Sequence, residues 1–364
     1  MHRILYILTG LIFIAGCSEV YEPDIQKVDP FLSIEGYIST KTGPQYIFIR
    51  QSKSYNDRPY FVGVAGAVVF VTDSNGNHFN YEDAGNGVYR SELTGDNGIT
   101  IGNSYTLEIR LSDGTLFRST PQKVVPSPEI GSLYCEFDRQ TILTENSYGD
   151  AFEQEYDGMN LIIETDGILP SDNYYLYRYT GYEEHHTYLR WDIYEYQIYR
   201  HRRLSGKYSS IIHTVNADEF GNFEVKNDKL MFISIFDMTN YNPIFPDTFS
   251  VTGNQWEGLL FRLEQLSLSP DAYAFYRDAE RQLDAEGRLF DPALTQIAGN
   301  ISCISEPQKK VVGVFYAADI STRYAYFYIN YRNHTYTAEI DSFPELWLDT
   351  CSWSPPEGWI SPPI

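Results

Sequence analysis

The chain has 364 residues, with 27 Lys and Arg against 49 Asp and Glu and a net charge of −22. Such a surface repels phosphate backbones and has no charge-driven affinity for anionic lipid, which excludes nucleic-acid binding and electrostatic membrane docking. With 31 Tyr, 21 Phe, 26 Gly and 18 Pro the composition is that of strands and turns, and the same aromatics offer flat faces on which sugars stack.

Residues 1–17 read MHRILYILTGLIFIAGC: Arg3 supplies a positive start, an apolar run covers Ile4 to Ile14, and Ala15-Gly16 precede Cys17. The run is too short to span a bilayer as a helix, which needs roughly 20 apolar residues, and its flanks are those of a cleaved export signal. Ile14-Ala15-Gly16-Cys17 resembles a bacterial lipobox, so Cys17 is expected to be acylated and to become the mature N-terminus. Residues 18–30, with Pro23 and Pro30 and no apolar periodicity, read as a tether. Glu19 and Glu22 partly match surface-export signals.

Residues 31–125 read as one β-sandwich. Alternating segments at 31–39, 45–52, 67–73, 78–83, 88–93, 104–112 and 115–124 are separated by turn residues, among them Asn75-Gly76, Gly85-Asn86-Gly87 and Asp113-Gly114. Asp73-Ser74-Asn75-Gly76-Asn77 has the start of a calcium loop but lacks its glycine at the sixth place and its glutamate at the twelfth. Val125-Pro126-Ser127-Pro128 reads as a linker into a second β-rich domain over 129–364.

In that domain 160–166, 173–182, 229–237, 258–267, 311–319 and 324–331 read as strands. Residues 182–208 hold seven aromatics and five Lys or Arg. They read as a long hairpin, with Tyr188, Trp191, Tyr194, Tyr196, Arg200 and Arg202 as candidates for a partner-docking surface, since Tyr, Trp and Arg dominate interface hot spots. One long helix is expected near 270–286: Ser269 is the N-cap, Pro270 fits the first turn, Ala272, Phe275, Ala279 and Leu283 share a face, and Gly287 ends it.

Three further cysteines, Cys135, Cys303 and Cys351, leave one unpaired in an oxidising compartment. Cys303 and Cys351, in the same C-terminal region, are the preferred disulfide pair. No nucleophile elbow, H-E-x-x-H, Walker loop or Cys/His cluster occurs. The nearest sequence, Glu183-Glu184-His185-His186, places its two histidines on opposite faces of a strand, where they do not share a metal. No catalytic residue, cofactor or metal is therefore expected.

FLSIEGYIS, AVVFVTDSNGNHFNYEDAGNGVYRS and LFDPALTQIAGNISCISEPQKKVVGVFYAADIST, together with the lipobox, resemble the Bacteroidota lipoprotein family DUF4249. The resemblance implies an Ig-like or carboxypeptidase-regulatory-like sandwich followed by a β-rich domain. It also implies an outer-membrane lipoprotein that accompanies a TonB-dependent transporter without catalysis. An envelope enzyme acting on glycan or peptide, recognisable by a buried His–acid pair or convergent carboxylates, and a structural adhesion module are the competing expectations.

Overall fold

The computed structural model describes residues 30–53, 58–94, 98–146, 148–165, 173–204, 212–216, 225, 227–239, 250–283, 297–330, 332–344 and 346. The expected leader, Cys17, the expected tether up to residue 29, Cys351 and Phe290-Asp291-Pro292 lie outside them.

The chain is mostly β. In order, the strands are β1 (Leu32–Ser39), β2 (Gly43–Ser52), β3 (Phe61–Gly63), β4 (Val68–Asp73), β5 (His78–Gly85), β6 (Val88–Leu93), β7 (Ser104–Arg110), β8 (Leu116–Ser119), β9 (Gln122–Lys123), β10 (Ile130–Glu145), β11 (Ala151–Thr165), β12 (Tyr174–Trp191), β13 (Tyr194–Arg203), β14 (His213–Asn216) and β15 (Asp228–Ser234). Helix α1 (Ile235–Thr239) follows, then β16 (Ser250–Leu268), helix α2 (Pro270–Leu283), β17 (Ile301–Cys303), β18 (Val311–Val312), β19 (Phe315–Ala318), β20 (Ile320–Ile329) and β21 (Thr335–Ile340).

The early strands alternate as expected: Leu32, Ile34, Ile47, Ile49, Val69, Val71, Leu107 and Ile109 point into one core. Strand β5 carries the turn of that sheet, pairing with β4 through His78–Tyr81 and with β6 from Glu82 onward. At Asp73 the carboxylate accepts the backbone N–H groups of Asn75 and Asn77 and the Asn77 side-chain amide, at 2.8–2.9 Å. Its oxygens serve the turn, and these bonds hold its pKa below the usual carboxylate value against the opposing effect of desolvation.

The expected domain boundary at 125 encloses only part of this sheet. Late strands return to complete it: β17 pairs antiparallel with β8, and β18 and β19 run parallel to β1. The Gly299-Asn300-Ile301 segment makes the return possible. The Asn300 side chain donates to the Phe315 carbonyl at 2.7 Å and accepts from the Phe315 N–H at 3.0 Å, as a strand neighbour would. Gly313 (φ +121°) separates β18 from β19, and any Cβ there would stand 1.9 Å from the Ile34 carbonyl oxygen.

The second unit places the three-stranded sheet β10–β11–β15 against a six-stranded sheet ordered β13–β12–β16–β20–β21, with β14 beside β12. Leu133, Met159, Leu161, Ile163 and Ile233 meet Tyr175, Tyr177, Leu259, Phe261, Leu263 and Phe327 between them. The segment expected as a strand over 229–237 ends at Ser234. Ile235 opens a helical turn instead, with Asp237 near its positive end and the Thr239 hydroxyl donating back to the Ile235 carbonyl at 2.9 Å.

Helix α2 begins as expected, with the Ala272 N–H donating to the Ser269 hydroxyl at 3.2 Å. Its buried face differs from the expected one. Ala272, Tyr273 and Tyr276 are buried, whereas Leu283 is exposed. Aromatic contacts set the rotation: Tyr273 stacks on Tyr174 at 4.5 Å and Tyr276 meets Tyr316 edge-on at 5.7 Å. This cluster, with Leu176, Leu266, Val314 and Ala318, fills the junction between the two units.

The proline-flanked segment at 125–128 is fastened down. The Ser127 N–H donates to Asp319 Oδ2 at 2.8 Å, and the Gln265 amide donates to the Pro128 carbonyl at 2.8 Å. The Ser267 hydroxyl donates to the Val125 carbonyl at 2.7 Å. The Thr40 hydroxyl of the first unit reaches the other Asp319 oxygen at 2.6 Å.

Candidate functional site

Strands β12 and β13 form the long hairpin expected over 182–208, turning at Asp192-Ile193, where Asp192 is left-handed (φ 55°). The six residues expected to form one docking surface fall into three groups, at the tip, along the shaft and at the root. At the tip Trp191 is 50% and Tyr194 58% exposed, and the intervening Ile193 is 80% exposed. Tyr188 and Tyr196 are half-buried along the shaft, and Arg200 and Arg202 sit at the root.

The root is a buried polar assembly. Reflecting the chain about the turn sets Glu183 opposite Arg202 and Glu184 opposite His201. On one face Arg202 Nε donates to Glu183 at 2.9 Å, and the same carboxylate bonds His185 Nε2 at 2.9 Å. The Thr187 hydroxyl then donates to Asn254 at 2.7 Å. On the other face His201 Nε2 lies 3.2 Å from Glu184. There the His186 ring stacks on Tyr199 at 4.2 Å and meets the tilted ring of Tyr188 at 4.4 Å, with Glu257 at 3.7 Å. The two histidines thus occupy different faces. Among the described residues no group of three or more His, Cys, Asp or Glu is arranged to hold a metal.

Burial governs the protonation of this root. It lowers the pKa of His185 against the opposing pull of Glu183, lowers that of His186, and brings His201 down to about 4. The Glu257 carboxyl is pushed up by burial and then by Glu184. Neutral imidazoles therefore sit beside acids at pH 7, and Glu183, Glu184, His185 and His201 are each at most 3% exposed.

A separate cleft of about 690 Å³ opens at the junction of the two units. Glu35, Tyr37 and Phe48 line it from the first unit, and Arg178, Tyr179, Arg203 and Leu204 from the second, with Tyr316 and Tyr276 between. Tyr37 and Tyr316 stack at 5.4 Å. The Arg178 guanidinium lies 4.2 Å from the Tyr37 ring centre and donates to the Tyr316 hydroxyl. Its size and its apolar walls with few polar groups are those of a small-ligand site.

A family model described as a domain of unknown function, DUF4249, matches residues 18–324. The chain belongs to the DUF4249 family. The matched span includes the leading strands of the first unit, the hairpin, the cleft and the Asn300 return that closes the first sheet, so this DUF4249 chain carries both candidate sites inside the family region. No curated protein and no solved structure matched it.

Sequence reasoning missed the burial of Glu183, Glu184, His185, His201 and Glu257, and it missed the cleft. The mirror pairing of acid with base about Asp192-Ile193 was a usable signal for the first. No local signal exists for the second, because its walls come from segments about 140 residues apart. Cys135 and Cys303 are buried free thiols, and Cys351, the expected partner of Cys303, lies outside the described residues. Burial pushes the Cys135 thiol up to about 11, and its environment includes the Thr337 hydroxyl 3.6 Å away.

Proposed function

We propose that this chain is a non-enzymatic outer-membrane lipoprotein, anchored through Cys17, that serves as an accessory or cargo-binding partner of a TonB-dependent transporter. In this reading its first unit is an Ig-like or carboxypeptidase-regulatory-like sandwich. The observation that carries the reading is the hairpin: an exposed apolar tip of Trp191, Ile193 and Tyr194 stands on a root locked by the Arg202–Glu183 ion pair and the buried His201–Glu184 hydrogen bond. A rigid shaft presents the tip at low entropic cost, and large aromatics are the residues from which interface energy mostly comes. The test is gentle detergent extraction followed by mass spectrometry of co-purifying proteins. A large β-barrel protein should accompany the wild type and be depleted at least tenfold by Trp191→Ser with Tyr194→Ser. A lone monomer under crosslinking in intact cells would overturn the proposal.

One observation favours an envelope hydrolase as the second reading: His201 and Glu184 are paired and Glu257 is close enough to feel Glu184. The enclosure of both partners weighs against it, since a general acid or base must reach substrate. Turnover of glycan or peptide that His201→Gln abolishes without loss of stability would establish this second reading.

A further inference from the structure

The junction cleft contains a cation without the partner its position provides. Arg178 stands directly across from Glu264 in the β12–β16 ladder, where an acid and a base ordinarily pair. Glu264 is engaged elsewhere, accepting from Lys41 at 2.6 Å and lying 3.9 Å from Arg262. Among the described residues no carboxylate forms an ion pair with Arg178, whose contacts are the ring and hydroxyl of Tyr37 and the Tyr316 hydroxyl. A guanidinium has five N–H donors, and those not used by the two tyrosine hydroxyls are suited to bidentate recognition of a carboxylate. Arg203 also lines the cleft, against the single exposed carboxylate of Glu35, so this opening is locally positive on a chain of net charge −22. Phe48 supplies apolar wall beside it.

We propose that the cleft binds a small organic carboxylate carrying a ring, with the carboxylate on Arg178 and the ring against Phe48. This rests on the binding role proposed above and names the class of cargo. An aromatic acid and an acidic sugar share the chemistry, and the test separates them. Full-length protein in detergent is titrated calorimetrically with 4-hydroxyphenylacetate and its neutral amide, and with glucuronate and glucose. One acid should bind at least tenfold more tightly than its neutral counterpart. Arg178→Met should lower the affinity for that acid at least tenfold, and Arg178→Lys should restore only part of it.

If Arg178→Met does not fold, wild-type protein is treated with phenylglyoxal, and protection of Arg178 by the acid, read by peptide mass spectrometry, decides the point. Absence of binding by both acids, equal binding of an acid and its neutral counterpart, an unaffected Arg178→Met variant, or no protection of Arg178 would each overturn the proposal. Transporter co-purification reads the hairpin tip, so loss of acid binding with co-purification intact overturns the ligand assignment alone.

Discussion

Gly258→Ala tests how tightly the root of the hairpin is packed. Gly258 pairs with Glu184 on β12, and a Cβ at this position would lie 2.2 Å from the Tyr326 hydroxyl and 2.3 and 2.4 Å from two ring carbons. The ring has nowhere to go: Tyr326 is fully buried, and its hydroxyl donates to the Glu257 carbonyl at 2.7 Å. Displacing a close-packed ring costs about 1–3 kcal/mol, and breaking a buried hydrogen bond adds about 1 kcal/mol. Gly258→Ala should therefore destabilise the protein by about 3 kcal/mol, read from urea unfolding as a lower midpoint at unchanged slope. Tyr326→Phe should not rescue it, because the two ring carbons remain. In a Tyr326→Leu background, which empties the space, the same glycine change should cost under about 1 kcal/mol. A Gly258→Ala variant within about 0.5 kcal/mol of wild type would refute the packing argument.

Two further outcomes are expected. Asp319→Ala removes the acceptor shared by Thr40 and the Ser127 N–H, so it should cost about 2–3 kcal/mol and speed hydrogen exchange at Ser127; unchanged exchange there would sink the idea that Asp319 fastens the junction. Burial depresses His201 to about 4 from an ordinary 6.5. The unfolded chain then takes up a proton that the folded chain refuses, so this contribution is complete above pH 6.5 and is lost as pH falls towards 4. Its size is about 3 kcal/mol, and His201→Gln should flatten the stability profile between pH 7 and 4 relative to wild type. Parallel profiles would contradict the assignment.

Local order was legible where local chemistry fixes it. Alternation located the strands from Leu32 to Ser119 except β3 (Phe61–Gly63), the Ser269-Pro270-Asp271 run located the start of α2, and the aromatic run at 182–208 was read as a hairpin. Pairing between distant segments was not legible, because period-two alternation says which face is apolar but not which strand lies alongside. So 311–319 read as one late strand of a second domain, when Gly313 divides it and both halves flank β1. The run Glu183 to Thr187 is polar and carried no expectation of burial. It is buried because β12 is flanked by β13 and β16 and is covered on both faces, and each charge has its partner on a neighbouring strand. The buried face of α2 turns on Tyr273 and Tyr276 because Tyr174 and Tyr316, distant in sequence, offer them ring partners.

The parallel seating of β18 and β19 against β1 also constrains how the chain can be made. Strand β1 begins at Leu32, yet the neighbours that cover its second edge end at Ala318. During synthesis from the N-terminal end, most of the chain must emerge before that edge is closed. Until then the first sheet presents an open ladder of unpaired N–H and C=O groups, the usual template for intermolecular strand addition. A chain cut short before residue 311 would keep that open edge permanently. The early half of this protein is thus a dependent of its late half, and a holding chaperone is most needed in the interval between the two.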